Sequence, residues 1–360
     1  MHVGARLMNR RQFTNTLGLT ALSMFGGTGA ACASAGPRRA AGIDLSFVNS
    51  ELRPYARKYI EKTGGGPLTL KFIYKYQREE AAEKIAFKSN VPVVKKLIPV
   101  PGGAPDVLTY LINSKPGASR PGIIHTHGGG FVLGSAKEYV PAAQDWAAEL
   151  DCFVATVEYR LAPETRYTGS IEDNYSALRW VYQHARELGV DPARIAVMGE
   201  SAGGGHAALL ALTARDRGEV PLAFQALIYP MLDDRTGSSR QPPNNEGRII
   251  WTAQDNRLGW EAFLGQKPGT PNVPAAAVPA RRRDLAGLPQ AFIGVGSIDL
   301  FCDEDIRYAE RLAAAGIETE LSVIPGAFHG FDLIAGSTEL VRSFVATKMQ
   351  ALKRAFSGEF

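Results

Sequence analysis

The spacing of apolar residues along the chain changes at about Val91. Before it, residues 43–88 are polar, with apolar side chains at helical intervals. Leu52, Tyr55, Tyr59 and Ile60 mark one helix over 50–62, and Ala81, Ala82 and Ile85 mark a second over 78–87. Gly64-Gly65-Gly66-Pro67 separates the two. After Val91 come eight short apolar runs of strand character, at 93–100, 107–112, 122–126, 152–159, 195–199, 224–229, 291–296 and 320–324. From the third run onward helical segments intervene, at 138–150, 170–188, 203–217 and 303–315, with a last one at 337–356. Strands alternating with helices predict an α/β chain with an eight-stranded, mostly parallel sheet and helices on both faces. In such sheets ligands bind outside the carboxyl ends of the strands.

The alternation fails once, between Pro230 and Leu288. Residues 233–248 are rich in Asp, Ser, Pro, Asn and Gly, and Trp251, Leu258, Trp260, Phe263 and Leu264 follow at loosely helical spacing. An insertion after a strand's carboxyl end lies on the ligand side of the sheet, so this segment reads as lid or acyl-pocket material; the bland alternative is that both tryptophans anchor a packing helix. The chain then divides into 1–33, an N-terminal helical lid segment 34–90, a first core segment 91–230, the lid or pocket insertion 231–287, and a second core segment 288–360.

Residues 1–33 read as an address. Arg10-Arg11-Gln12-Phe13 is a twin-arginine pair, a weakly apolar run interrupted by Gly26, Gly27 and Gly29 follows, and Ala31-Cys32-Ala33 offers an A-x-A-like cleavage site. This segment resembles a twin-arginine export signal, which predicts the export machinery as a partner and a periplasmic or secreted product. Charge supports the separation. The chain has 40 basic and 36 acidic residues, but Arg6, Arg10 and Arg11 precede Ala33 and no acid does, so the rest is nearly neutral. No basic surface for nucleic acid is implied. Of three cysteines only Cys152 and Cys302 lie beyond the signal, and neither belongs to a C-x-x-C, so metal and thioredoxin-like chemistry have little support; two free thiols are expected, with a disulfide between them as the alternative in an oxidising compartment.

The chemistry centres on Gly199-Glu200-Ser201-Ala202-Gly203, a G-x-S-x-G in the strand-to-helix context that a nucleophile elbow requires. A serine hydroxyl is a poor nucleophile near neutral pH and needs a base, which needs an orienting acid. In elbow proteins the acid and histidine follow the serine. His125, His127 and His184 precede Ser201, and His206 lies on the following helix, which leaves His329 in the loop after the last strand. Asp299 lies just past the run 291–296. Asp303, Glu304 and Asp305 are alternatives whose place at a helix start suits N-cap and first-turn roles. A tetrahedral intermediate also needs donors for its oxyanion. His127-Gly128-Gly129-Gly130 follows the strand 122–126 and matches the H-G-G-G loop that supplies backbone N–H groups, with Ala202 N–H as the other donor.

Together, His127-Gly128-Gly129-Gly130, Tyr159-Arg160-Leu161-Ala162-Pro163-Glu164, Gly199-Glu200-Ser201-Ala202-Gly203-Gly204, Asp299 to Glu304 and His329-Gly330-Phe331 resemble the bacterial hormone-sensitive-lipase family of α/β-hydrolase carboxylesterases. The resemblance spans about Val91 to the C-terminus. It implies the α/β-hydrolase fold with a helical lid, a Ser201–Asp299–His329 triad, an oxyanion hole from Gly129, Gly130 and Ala202, no metal or cofactor, and small-molecule esters of short to medium acyl chain as substrates. Glu200 stands where the family commonly has Asp, and Leu300-Phe301-Cys302 replaces the usual Pro-Leu-x.

Two other readings remain. Deacetylase, lactonase and amidase share the triad and differ in the pocket. A non-catalytic small-molecule-binding relative would lack the catalytic histidine, and His329 is present. An exposed edge strand near the C-terminus could support a homodimer.

Overall fold

A computed structural model describes residues 44–63, 68–69, 72–77, 85–243 and 245–360. Residues 1–33, which resemble an export signal, and most of the predicted helix at 78–87 lie outside the described residues; of that helix, residues 85–87 are described and are not helical.

Eight strands form one sheet: β1 (Val93–Ile98), β2 (Val107–Ile112), β3 (Arg120–Thr126), β4 (Phe153–Val157), β5 (Val190–Glu200), β6 (Phe224–Ile228), β7 (Gln290–Gly296) and β8 (Thr319–Ile324). Their spatial order is β1-β2-β4-β3-β5-β6-β7-β8. β2 runs antiparallel to both β1 and β4, and all later pairs are parallel. All eight apolar runs of the sequence are strands. β3, β4 and β6 are buried along their whole length, as parallel strands covered on both faces must be. β8 forms one edge of the sheet and is only half-buried throughout.

Among the described residues, residues 72–77 are helical, and the longer helices that accompany the sheet are α1 (Arg53–Thr63), α2 (Ala136–Glu149), α3 (Tyr167–Gln183), α4 (Ala202–Arg217), α5 (Ala253–Leu264), α6 (Cys302–Ala314) and α7 (Glu339–Ser357). The side-chain period of two sends neighbouring strand residues to opposite faces. Ile123, Val154 and Ala196 pack with α2 and α7, whereas Ile124, Ala155 and Val157 pack with α3, α4 and α6. The predicted helix over 170–188 is two pieces, because α3 ends at His184, whose Nδ1 turns back onto the Trp180 carbonyl at 2.8 Å.

The insertion builds a third core above the sheet's carboxyl edge. Phe131, from the loop after β3, stacks on Phe263 of α5 at 4.0 Å between ring centroids, and Trp260 meets the same ring edge-on. The segment is tied down by Glu304 of α6, which accepts the N–H groups of Leu232 and Asp233 and the Thr236 hydroxyl. The two tryptophans divide their roles. Trp260 anchors a packing helix, and Trp251 precedes the Thr252 N-cap of α5 and faces the cavity described next.

Candidate active site

β5 ends at Glu200 and α4 begins at Ala202, so Ser201 is the whole connection. Its backbone adopts φ 57°, ψ −124°, a region that L-residues rarely occupy and that persists only where surroundings over-determine it. Here they do. Ser201 N–H donates to the Ile228 carbonyl and its own carbonyl accepts from Met231 N–H, both at 2.9 Å, pinning the turn to the end of β6. The flanking glycines are a steric requirement: a Cβ on Gly199 would lie 2.3 Å from the Gly203 carbonyl oxygen, and one on Gly203 would lie 2.1 Å from that of Thr126.

The loops after β7 and β8 bring Asp299 and His329 to the same edge. Ser201 Oγ is 2.8 Å from His329 Nε2, and His329 Nδ1 is 2.8 Å from Asp299 Oδ2. The other Asp299 oxygen accepts Phe301 N–H at 2.9 Å, so with the proton of the imidazole on Nδ1 both carboxylate oxygens are held. Tyr229 and Phe301 flank the imidazole with centroid separations of 4.9 and 5.1 Å. These contacts restrict the ring's rotation.

Gly128, Gly129 and Gly130 line the same cavity as Ser201 and His329, whose volume is about 60 Å³. Successive positive φ values at Gly129 (121°), Gly130 (61°) and Phe131 (68°) curl the loop tightly, a shape that glycine adopts without strain. Gly128 comes so close that a Cβ there would stand 3.5 Å from that of Ser201. Ala202, at the first position of α4, follows the serine directly. His127 takes no place in the cavity lining. Its ring stacks on Tyr159 at 4.2 Å, its Nδ1 contacts the Gly128 carbonyl, and burial pushes its pKa down to about 3. It is a neutral structural group that shapes the loop, with Tyr159 hydroxyl donating to its carbonyl at 2.7 Å.

Asp303, Glu304 and Asp305 stay away from His329 in the hydrogen-bond pattern and all three lie in the first turn of α6 as expected, but the N-cap residue is Phe301, so none of them is the cap. Asp303 pairs with Arg240 and Arg307 on the surface, and Glu304 clamps the insertion. Cys152 and Cys302 are both buried and free, and burial raises both thiols to about 12.

Several groups beside the serine escaped sequence reasoning. Glu200 lines the cavity and accepts from His125 Nε2 at 2.8 Å, while His125 Nδ1 meets Thr156 Oγ at 2.7 Å. Tyr229 donates to Asp332 Oδ1 at 2.8 Å, and Trp251, Ile250, Leu333 and Ile334 form apolar walls. Glu200 had a local signal, its place before the serine, and Trp251 lies in the insertion that the sequence marks as lid or acyl-pocket material. The others meet across strands far apart in sequence.

Comparison with known proteins agrees with this geometry. A family model described as an alpha/beta hydrolase fold matches residues 123–333. The carboxylesterase NlhH of Mycobacterium tuberculosis is 39% identical over 241 residues, which is 65% of this chain and 74% of that protein. Esterase LipI of the same species is 38% identical over 221 residues, covering 61% and 68%. Among solved structures, a bacterial heroin esterase superposes with TM-score 0.78 at 34% identity, over 87% of this chain and 99% of that one. Esterase LipW of Mycobacterium marinum does so with TM-score 0.74 at 32% identity, over 87% and 97%. With eight strands in this order, a serine on the β5–α4 turn and relatives of this closeness, the chain belongs to the hormone-sensitive-lipase group of the α/β-hydrolase family.

Proposed function

We propose that this protein is a serine carboxylesterase that cleaves short- to medium-chain esters of small molecules through an acyl-enzyme on Ser201. The observation that carries the reading is the continuous line from Ser201 Oγ through His329 to Asp299, two contacts of 2.8 Å, opening on a cavity lined by the glycine loop. His329 Nε2 takes the hydroxyl proton as Oγ attacks the ester carbonyl. Asp299 holds the Nδ1–H and stabilises the imidazolium that forms. The negative charge on the former carbonyl oxygen falls to the N–H groups of Gly129, Gly130 and Ala202, each such donor being worth on the order of 10²- to 10³-fold in kcat. His329 returns its proton to the leaving alcohol, then activates the water that frees the acid. Besides the ester and one water, no step calls for a group outside the chain.

The names of NlhH, LipI and the two esterase structures support the same bond type. Hydrolysis of p-nitrophenyl acyl esters by the wild type beside Ser201→Ala tests it. Turnover that disappears in the variant supports the reading, and wild-type inactivity on every chain length would sink it.

The segments 34–90 and 231–287 are read as a cover over the site, since Tyr76 from the first and Ile250 and Trp251 from the second line the cavity. The twin-arginine pair and the small-residue site at Ala31–Ala33 support export of the precursor by the twin-arginine machinery to the periplasm or beyond; replacing Arg10-Arg11 with lysines should retain the protein inside the cell. The half-buried outer edge of β8 supports a homodimer, which sedimentation equilibrium would detect.

A further inference from the structure

One wall of the cavity beside Ser201 is fixed more tightly than the others. Ile250 and Trp251 both line it, and Ile250 adopts φ 68°, a left-handed conformation that a β-branched residue takes only under constraint. The constraint is visible on either side. Trp251 N–H donates to the Ile249 carbonyl at 2.9 Å, and Thr252 next to it closes a capping box with Asp255. The indole itself is pinned. Its Nε1–H donates to Asn256 Oδ1 at 3.1 Å, and the fully buried Asn256 amide donates to the Thr236 carbonyl at 2.8 Å.

The pinned ring lies against the oxyanion loop. A Cβ on Gly130 would fall 2.0 Å from Trp251 Cη2, so glycine is required there by the indole as well as by its φ of 61°. The position of the ring relative to the triad decides which half of an ester it meets. The leaving oxygen must lie within reach of His329 Nε2 to be protonated, beside Gly330, Leu333 and Ile334. The acyl carbon chain shares the tetrahedral carbon with that oxygen and with the oxyanion and diverges from both, and we place it against Trp251, a large apolar side chain of the lining that does not belong to the His329 loop. The whole cavity, acyl and alcohol sides together, is about 60 Å³, less than half of the roughly 150 Å³ apolar cavity that admits benzene.

We propose that Trp251, held by Asn256, sets the ceiling on acyl length and confines the enzyme to esters of the shortest acids, acetyl to butyryl. The inference rests on the esterase reading above and deepens it. Nothing in it requires the alcohol portion to be small.

The test measures kcat/KM of the full chain on p-nitrophenyl acetate, butyrate, octanoate and laurate, and on methyl, butyl and octyl acetates. Wild type should peak at acetate or butyrate. Trp251→Leu should raise the octanoate-to-acetate ratio at least about tenfold, since each methylene that gains a buried place is worth roughly fourfold. Its octyl-to-methyl acetate ratio should stay within about threefold of wild type, a margin below the worth of one buried methylene. Trp251→Phe, which keeps a ring but loses the bond to Asn256, should move the acyl ratio the same way by less, and carries the test if the leucine variant does not fold. A wild-type peak at octanoate or beyond, unchanged acyl ratios in a folded variant, or a shift in the alcohol series instead would each overturn the proposal. A wild type inactive on every ester would defeat the esterase reading and this inference with it. Activity without the shift defeats the inference alone.

Discussion

The Tyr229 ring stands edge-on to the His329 imidazole at 4.9 Å between centroids, while its hydroxyl donates to Asp332 Oδ1 at 2.8 Å. Tyr229 thus links the flank of the histidine to a buried carboxyl whose own pKa is raised by burial and held back by the nearby Lys348. Tyr229→Phe keeps the ring and leaves one Asp332 oxygen without its donor. Unfolding in urea should show a loss of about 1–3 kcal/mol. kcat should fall by less than about tenfold, because the packing against His329 survives. An unfolding curve that overlays wild type would refute this account of Asp332.

Asp299→Asn should be far more damaging to rate than to fold. The amide keeps the bond from Phe301 N–H but presents a donor to His329 Nδ1, which favours the tautomer with its proton on Nε2, where the base must be free. kcat on p-nitrophenyl acetate should drop on the order of 10⁴-fold with KM little changed. A drop under about tenfold would assign the orienting role to another acid.

The oxyanion loop offers a contrast between neighbours. A Cβ on Gly129 would lie 1.9 Å from the Leu133 carbonyl oxygen, a backbone atom that cannot step aside, whereas on Gly130 its nearest contacts are side-chain atoms of the Trp251 ring. Gly129→Ala should cost at least on the order of 10²-fold in kcat. Gly130→Ala should also lose activity but retain more than Gly129→Ala, since pushing the indole aside breaks its bond to Asn256 yet leaves the loop backbone in place. The reverse ranking, read from kcat of both purified variants, would show that the loop is set otherwise.

Acid sensitivity follows from two buried histidines. Burial pushes both His127 and His206 down to about 3, and among the described residues neither His206 nitrogen has a hydrogen-bond partner. An unfolded histidine titrates near 6.5, so between that value and about 3 the unfolded chain binds more protons than the folded one. Stability is therefore complete above pH 6.5 and is lost as pH falls through that window, by up to about 1.4 kcal/mol per pH unit for each histidine. Urea unfolding at pH 7 and pH 5 should show the loss. His206→Leu should remove roughly one histidine's share of the slope, and an unchanged slope would mean that His206 is protonated in the fold.

Much of this architecture follows from local pattern. Apolar runs of strand length, separated by helical periods, determined the eight strands and the parallel α/β class, because a strand buried on both faces can be little else. The glycines around Ser201 determined the elbow for a steric reason, visible as clashes of 2.3 and 2.1 Å that any side chain would create. Chain order and strand ends then singled out His329 and Asp299, 128 and 98 residues from the serine, and the fold brings all three together. The helix expected over 170–188 was split by the His184 contact with a carbonyl, a one-residue event that period cannot register.

What the sequence could not determine is whatever depends on which strands become neighbours. His125 meets Glu200 across 75 residues and Tyr229 meets Asp332 across 103, and neither pair has a spacing or motif that sets it apart. Trp251 and Trp260 looked equivalent in a helical run. Tertiary structure alone separated them, placing one in the core against Phe131 and the other over Gly130, because the N-cap at Thr252 falls between them and only the indole of Trp251 finds Asn256. Periodicity and sterics act on neighbours in the chain, so they specify the scaffold and the nucleophile. Cavity walls are assembled from side chains distant in sequence, and their identity is decided only when the sheet has closed and the insertion has packed above it.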